Sequence, residues 1–309
     1  MIPPVGGLHR LDNSAGLGSS AVISRRAAAL RLLRVGGVDI VEPTVRSDPP
    51  PGLAGATLVP WPNRVEGARW DLDGREQRLE VTEPEFGHAN HGLLLDVDYD
   101  VVSATGRQVV LHAVVADRPG YPFTLDVLVS YELEETGIAV SYRVRNLSAA
   151  DAPFALGAHP YPRMGAEPVA GLTLSIAASR ALDLDATHIP RAEFAVAGTP
   201  WDLREGVGIA RVVRNAAYGG LSREGSDIVH RLTAPDGRCV ELRAHPKFGW
   251  VQVYVAADFE SDDGPRTSIA IEPMTAPPNA LRTGVGVTWL ETGRDWEAGW
   301  SLRLVAAPA

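Results

Sequence analysis

"FTLDVLVSYELEETGIAVSYRVRN", residues 123–146, reads as two long strands folded back on each other around Glu134-Glu135-Thr136-Gly137. Strand-like runs joined by a short Gly-containing turn are the sequence form of an antiparallel hairpin. The same grammar recurs outward from it, in "SAVISR", "ALRLLRV", "DYDVVSA", "QVVLHAVVA", "LTLSIA", "IVHRLTA", "CVELRA", "WVQVYVA" and "WSLRLVA". "APDGRC" at 234–239 carries the Asp-Gly hairpin turn. Gly (31) and Pro (24) are spread through the chain, which suits many short strands joined by turns. The helix-like stretch "RRAAALRLLR" also reads as strand. A layered αβα fold would need helical segments of roughly 10–15 residues between its strands, and none is seen. "SDPPPG" at 47–52 is too short a loop to separate domains, and there is no short repeat or low-complexity run. The expected fold is all-β: one large antiparallel β-sandwich, a single domain over 1–309.

Composition narrows the function classes. The formal net charge of −9 speaks against a nucleic-acid surface and an anionic membrane. It also disfavours a strongly anionic substrate. "MIPPVGGLHRLDNS" has no apolar core of a signal peptide. No run approaches the roughly 18 apolar residues of a membrane span. The single Cys239 excludes an internal disulfide and is most simply a small buried hydrophobe. The expected location is cytoplasmic, where the sequon Asn146-Leu147-Ser148 carries no weight.

Several chemistries are not supported. No Gly-rich phosphate loop or dinucleotide fingerprint is present, because "GGVDIV" and "GVGVTW" lack a helix following a strand. His88 and His91 in "HANHG" are three apart, but no Glu or further His sits at ligand spacing, so no metal is expected. A Gly-x-Ser-x-Gly nucleophile elbow is absent.

What remains is a set of four stretches placing polar groups beside Pro or Gly at strand ends: "LVPWPNRVEGARW" (58–70), "HANHGLLLD" (88–96), "FALGAHPYPRM" (154–164) and "IAIEPMTAPPNAL" (269–281). In the last, alternation puts Ile269 and Ile271 on one face, Ala270 and Glu272 on the other. Pro273, with no amide to donate, is expected to end the strand and leave Glu272 at the mouth of a sheet. His159 has the same setting, locked by Pro160. Taken singly, Glu272 also fits an ordinary solvated strand-end Glu, and His159 a structural His. Together they suggest an acid–base pair, since a His with a pKa near 6.5 donates a proton at neutral pH and a carboxylate accepts one.

In this order and at these spacings, "PWPNR", "HGL", "GAHPY" and "EPMTAPPNAL" resemble the aldose 1-epimerase (galactose mutarotase) family, over nearly the whole chain from Gly6-Gly7-Leu8 to "LETGRDWEAGWSLRLV". The resemblance implies a large antiparallel β-sandwich and interconversion of the α and β anomers of a free hexose. It implies that Glu272 takes the proton of the anomeric hydroxyl and that His159 protonates the ring oxygen. The two would approach from different sides, at strand ends across a cleft. Arg64 and His91 would hydrogen-bond the sugar near its ring oxygen. No cofactor is implied, because neither electrons nor groups move. The chain departs from the family pattern at three places. His88 stands where relatives often have Asn, Pro162 follows Tyr161 where they tend to have an aromatic, and Asn215 falls where a carboxylate grips sugar hydroxyls.

Other readings keep parts of this picture. A hexose-phosphate epimerase would need Arg64, Arg69, Arg163 and Lys247 gathered round the cleft. A carbohydrate-binding or sensing protein would keep the pocket and lose turnover. A glycosidase would need a second carboxyl. Arg64 also fits a partner of a surface acid, and His91 a core His bonded to the backbone. Trp61 and Trp250 fit the core better than a sugar platform.

Overall fold

The computed structural model describes residues 7–116 and 118–307. Residues 1–6, including Gly6 at the start of the family resemblance, Asp117 and 308–309 lie outside the described residues. The hairpin is found as Leu125–Leu133 and Gly137–Asn146, paired antiparallel from Leu125↔Asn146 to Leu133↔Ile138. Every second residue of Leu125–Leu133 is buried. Burying each such Val or Leu contributes about 1.5–3 kcal/mol. This hairpin lies in a 10-stranded sheet. Asp236-Gly237 lies in the turn joining Asp227–Thr233 to Cys239–Ala244, where Gly237 has φ +85°.

A 7-stranded sheet runs in the order Pro190–Ala195, Ala178–Leu184, Asn215–Leu221, Trp250–Ser261, Gly264–Met274, Gly157–Ala158, Thr57–Leu58. Val251, Val253, Ile269 and Ile271 of this sheet and Val127 and Val129 of the larger one belong to one apolar cluster. All named strand pairs among the described residues are antiparallel, as expected for the sandwich. "RRAAALRLLR" resolves as strand, Ala29–Val35, in a 4-stranded sheet with Leu8–Asn13, Ser19–Ser24 and Val38–Asp39. One four-residue α-helix, Ala280–Thr283, is found among the described residues.

Pro273 does not end its strand, which runs on to Met274. The missing amide removes one rung toward the neighbouring Gly157–Ala158 segment. The rungs on either side close it: Ile271 N–H donates to Pro160 O and Thr275 N–H to Leu156 O. The alternation is as read. Ala270 faces away from the main core, packed with Tyr161 and Phe259, and Glu272 shares its face. That face is the floor of the site.

Candidate active site

The register Gly157↔Met274, carried two residues on, sets His159 opposite Glu272, and Glu272 in turn pairs with Gln252. His159, Glu272 and Gln252 thus stand in one row across neighbouring strands. His159 Nε2 lies 3.5 Å from Glu272 Oε1, with side chains 7% and 3% exposed. The two are therefore cross-strand neighbours on one wall, not groups facing each other across a cleft. This arrangement is compatible with the ring opening that the resemblance implies, in which the two oxygens exchanging protons are bonded to one carbon. Neither residue is a solvated strand-end group.

Both pKa values move away from the sequence expectation. Burial pushes the Glu272 carboxyl up to about 8, against a smaller opposing pull from Arg64. Burial likewise lowers His159 to about 4. Burial disfavours the charged form of each group. At neutral pH the proton rests on Glu272 and the imidazole is neutral, the reverse of the assignment made from free side chains. One proton is held by the pair in either arrangement. Glu272 Oε2 and His159 Nδ1 are buried without a protein partner.

His91 stands edge-on to His159, ring centroids 5.3 Å apart. Its Nδ1 accepts a hydrogen bond from the Asn63 amide at 3.1 Å, so the neutral ring carries its proton on Nε2, toward the site. His91 is buried and bonded to the backbone, as the core reading has it, and it also lines the cavity. Asn63, His91 and Asn279 all have left-handed backbone, φ +58°, +61° and +68°. Asn279 N–H donates to Arg64 O and its Oδ1 accepts from Glu66 N–H. The "PPNAL" turn is thereby stitched to "PWPNR".

Arg64 is ion-paired, and its partner is a cavity residue. Nε and Nη2 donate to Glu83 Oε2 and Oε1 at 2.7 and 2.6 Å, and the guanidinium lies over Phe86, 5.8 Å from the ring centroid. Asn215 also lines the cavity. Its Oδ1 accepts from Gln252 Nε2, and its amide nitrogen meets His188 Nδ1 at 3.1 Å. Tyr161 stacks on His159 at 5.3 Å and packs at a tilt on Phe259 at 4.5 Å, so an aromatic ring lines the cavity beside Pro162. All five residues singled out from the sequence, Glu272, His159, Arg64, His91 and Asn215, border one cavity of about 440 Å³. That lies within the size range of small-ligand pockets, roughly 300–1,000 Å³.

Other candidates fall elsewhere. His88 does not line the cavity; its Nδ1 accepts from Gly67 N–H, and its ring stacks on Phe86, which does. Trp61 is core. Trp250 packs on Gly219, where a Cβ would come within 2.7 Å of its ring. Arg163 is buried against Glu42 and Asp263. Lys247 sits over Trp296, and Arg69 pairs with Glu76.

His91, His159 and Glu272 place their donor atoms within 4.8 Å of one another, a spacing a metal ion can bridge. A cation there would have to displace the proton that burial holds on Glu272 and accept Arg64 as a neighbour. The set suits a proton better. Gln252, Glu83, Phe86, His188 and Tyr254 line the cavity without having been singled out from the sequence. Gln252 had a signal, a polar residue between Val251 and Val253 in "WVQVYVA". The loop residues Glu83, Phe86 and His188 had none.

A model of the aldose 1-epimerase family matches residues 9–303. An uncharacterized Escherichia coli K12 protein, YihR, is 27% identical over 275 residues, 89% of this chain and 86% of its own. The galactose mutarotase of Rattus norvegicus is 30% identical over 168 residues, 51% of this chain and 47% of its own. Among solved structures, a GalM/aldose epimerase homologue from C. elegans superposes with a TM-score of 0.84 at 17% identity, covering 98% of this chain and 99% of that one. A putative aldose 1-epimerase from Escherichia coli K12 gives 0.79 at 20% identity, covering 97% and 99%. With the family match spanning nearly all of the chain and the same fold in these structures, the chain belongs to the aldose 1-epimerase family.

Proposed function

We propose that the chain interconverts the α and β anomers of a free neutral hexose by acid–base ring opening and reclosure. The observation that carries this is the buried His159–Glu272 contact at the floor of a sugar-sized cavity. In ring opening, Glu272 as carboxylate takes the anomeric hydroxyl proton while His159 as imidazolium gives one to the ring oxygen. The open-chain aldehyde then faces a protonated Glu272 and a neutral His159. That is the protonation state burial favours. The site is thus matched to the high-energy intermediate, and binding the cyclic sugar has to shift the proton to His159. After rotation about the C1–C2 bond, the same two transfers run backward and close the ring on the other face.

One proton on the pair sets the pH dependence. Below about 4 both groups are protonated and no base is left. Above about 8 the last proton is gone and no acid is left. The rate profile is therefore expected to be bell-shaped, flat between limbs near these values and falling about tenfold per unit outside them. Initial rates by polarimetry across pH 3–10, corrected for buffer catalysis, check it. A single limb near the ordinary His value of about 6.5 would contradict the assignment.

Neutrality of the substrate is supported by charge. Arg64 is already matched by Glu83, and Arg69, Arg163 and Lys247 do not gather round the cavity. The test is polarimetry on freshly dissolved sugars. Acceleration with galactose or glucose and none with the corresponding 6-phosphates is expected. A clear preference for the phosphorylated sugar contradicts this reading, and binding of sugars without any acceleration would make the chain a binding protein.

Asn215→Asp supplies a charged acceptor beside Gln252 and His188. A charge-assisted bond is worth roughly 1.5–3 kcal/mol against about 1 for a neutral one, so KM is expected to fall about tenfold with kcat little changed. The added carboxylate also moves the alkaline limb upward by like-charge repulsion. KM and kcat measured across pH 5–8 check both effects. If neither moves, Asn215 does not contact substrate.

A further inference from the structure

We infer that Glu83 is the specificity-determining residue of this cavity, aiming Arg64 and cancelling its charge so that the site selects uncharged sugars. The inference rests on the cavity being the sugar site of the proposed function. The pair is made in fork-to-fork fashion through two hydrogen bonds of 2.7 and 2.6 Å. Its side chains are only 14% and 20% exposed. A bidentate carboxylate fixes both the plane and the direction of a guanidinium. Arg64 Nη1 is left without a protein partner among the described residues, and the ring of Phe86 backs the guanidinium. Glu83 is itself anchored. Its N–H donates to His88 O at 3.0 Å, and its carbonyl accepts from Gly87 N–H at 2.9 Å. The carboxylate is therefore presented from a tied loop rather than from a free side of the rim.

Charge bookkeeping of the lining shows what Glu83 does. Arg64 is the only cationic side chain among the cavity-lining residues; Glu83 and Glu85 are anionic, and Glu272 is held protonated. The groups facing Arg64 are Glu83, His91, His188 and Glu272, and each of the last three feels its positive charge. Without Glu83 the guanidinium would stand uncompensated in a half-buried cavity, as an anion-binding group. An uncompensated guanidinium also favours an ionised carboxylate. Glu272 is faced by His159, His91, Arg64 and Tyr161, of which only Arg64 would change its net surroundings in such a variant.

The test uses the full chain and two variants, Glu83→Gln and Glu83→Asp, with a hexose and its hexuronic acid as probes. Binding is measured by calorimetry, independently of turnover, so a protein that binds but does not catalyse counts against the epimerase reading and not against this one. Glu83→Gln is expected to shift the ratio of hexuronate to hexose affinity toward the acid by at least about tenfold, one charge-assisted bond in place of a neutralised one. Glu83→Asp keeps the charge and is expected to hold the wild-type ratio. The alkaline limb of the rate profile should also move below about 8 in Glu83→Gln. A ratio unchanged in Glu83→Gln, or shifted equally in both variants, overturns the inference. A merely structural role for Glu83 would weaken both ligands alike and leave the limb in place.

Discussion

Glu272→Gln and His159→Ala are each expected to slow anomer interconversion by at least about 10²-fold, the usual share of one general acid or base. Neither substitution leaves a neighbour able to substitute. His91 has one ring nitrogen committed to Asn63, and Arg64 cannot give up its proton. Glu272→Gln carries a second signature, in stability. The folded-state pKa of Glu272 is raised to about 8, from about 4.3 for a free Glu. Its stabilising contribution is therefore fully present below about 4.3 and is lost as pH rises through about 8. Gln cannot ionise and has nearly the same shape. Glu272→Gln should match wild type near pH 4 and exceed it near pH 8 by on the order of a few kcal/mol. Melting curves at the two pH values, beside polarimetric rates, check the pair of effects. A variant that is slow but equally stable at both pH values would mean that Glu272 is not strained by burial. A variant with wild-type rate would remove Glu272 from the chemistry.

Gly92→Ala is expected to cost more than about 3 kcal/mol of stability and to abolish activity in what still folds. Gly92 has φ +82°, and a Cβ there would lie 2.1 Å from Val59 O. Left-handed backbone costs a non-glycine residue roughly 1–2 kcal/mol by itself. The carbonyl it would strike belongs to a strand-like segment and accepts the Leu93 N–H at 2.9 Å, so relief requires breaking that bond. Moving Gly92 also moves His91, whose Nδ1 meets the Asn63 amide at 3.1 Å. A melting temperature lower by ~4–5 °C or more is the expected result. Gly87, with φ +72° but open space around its Cβ position, is the control and should lose only the conformational part.

Much of this was legible in the chain because it is local. The 123–146 hairpin declares itself by turn and strand runs, and Asp236-Gly237 by turn type. Glu272 and His159 could be paired although 113 positions separate them, since each carries the same strand-then-proline setting. What could not be read depends on neighbours supplied by distant segments. Pro273 sits inside its strand because the loss of one amide matters only if no rung lies beside it, and Pro160 and Leu156 supply those rungs. The crossed pKa values of Glu272 and His159 follow from burial between adjacent strands and beside Tyr161, not from residue type. Arg64 was legible as a candidate from its motif, but Glu83 was not, for neither Glu of "VTEPEFGH" has a period or a motif. Arg163 and Lys247, available on paper for a phosphate, are spent elsewhere in the fold.

The central claim is that the buried His159–Glu272 pair opens and recloses a free sugar ring, and anomeric exchange is its direct observable. In two-dimensional exchange NMR of equilibrated glucose or galactose near pH 7, catalytic wild-type protein should produce α/β cross-peaks that grow within the mixing time. The same amount of Glu272→Gln should leave the spectrum at the buffer-catalysed rate. If wild type and Glu272→Gln give equal cross-peaks, or wild type gives none with either sugar, the assignment of this pair to hexose anomer exchange is wrong.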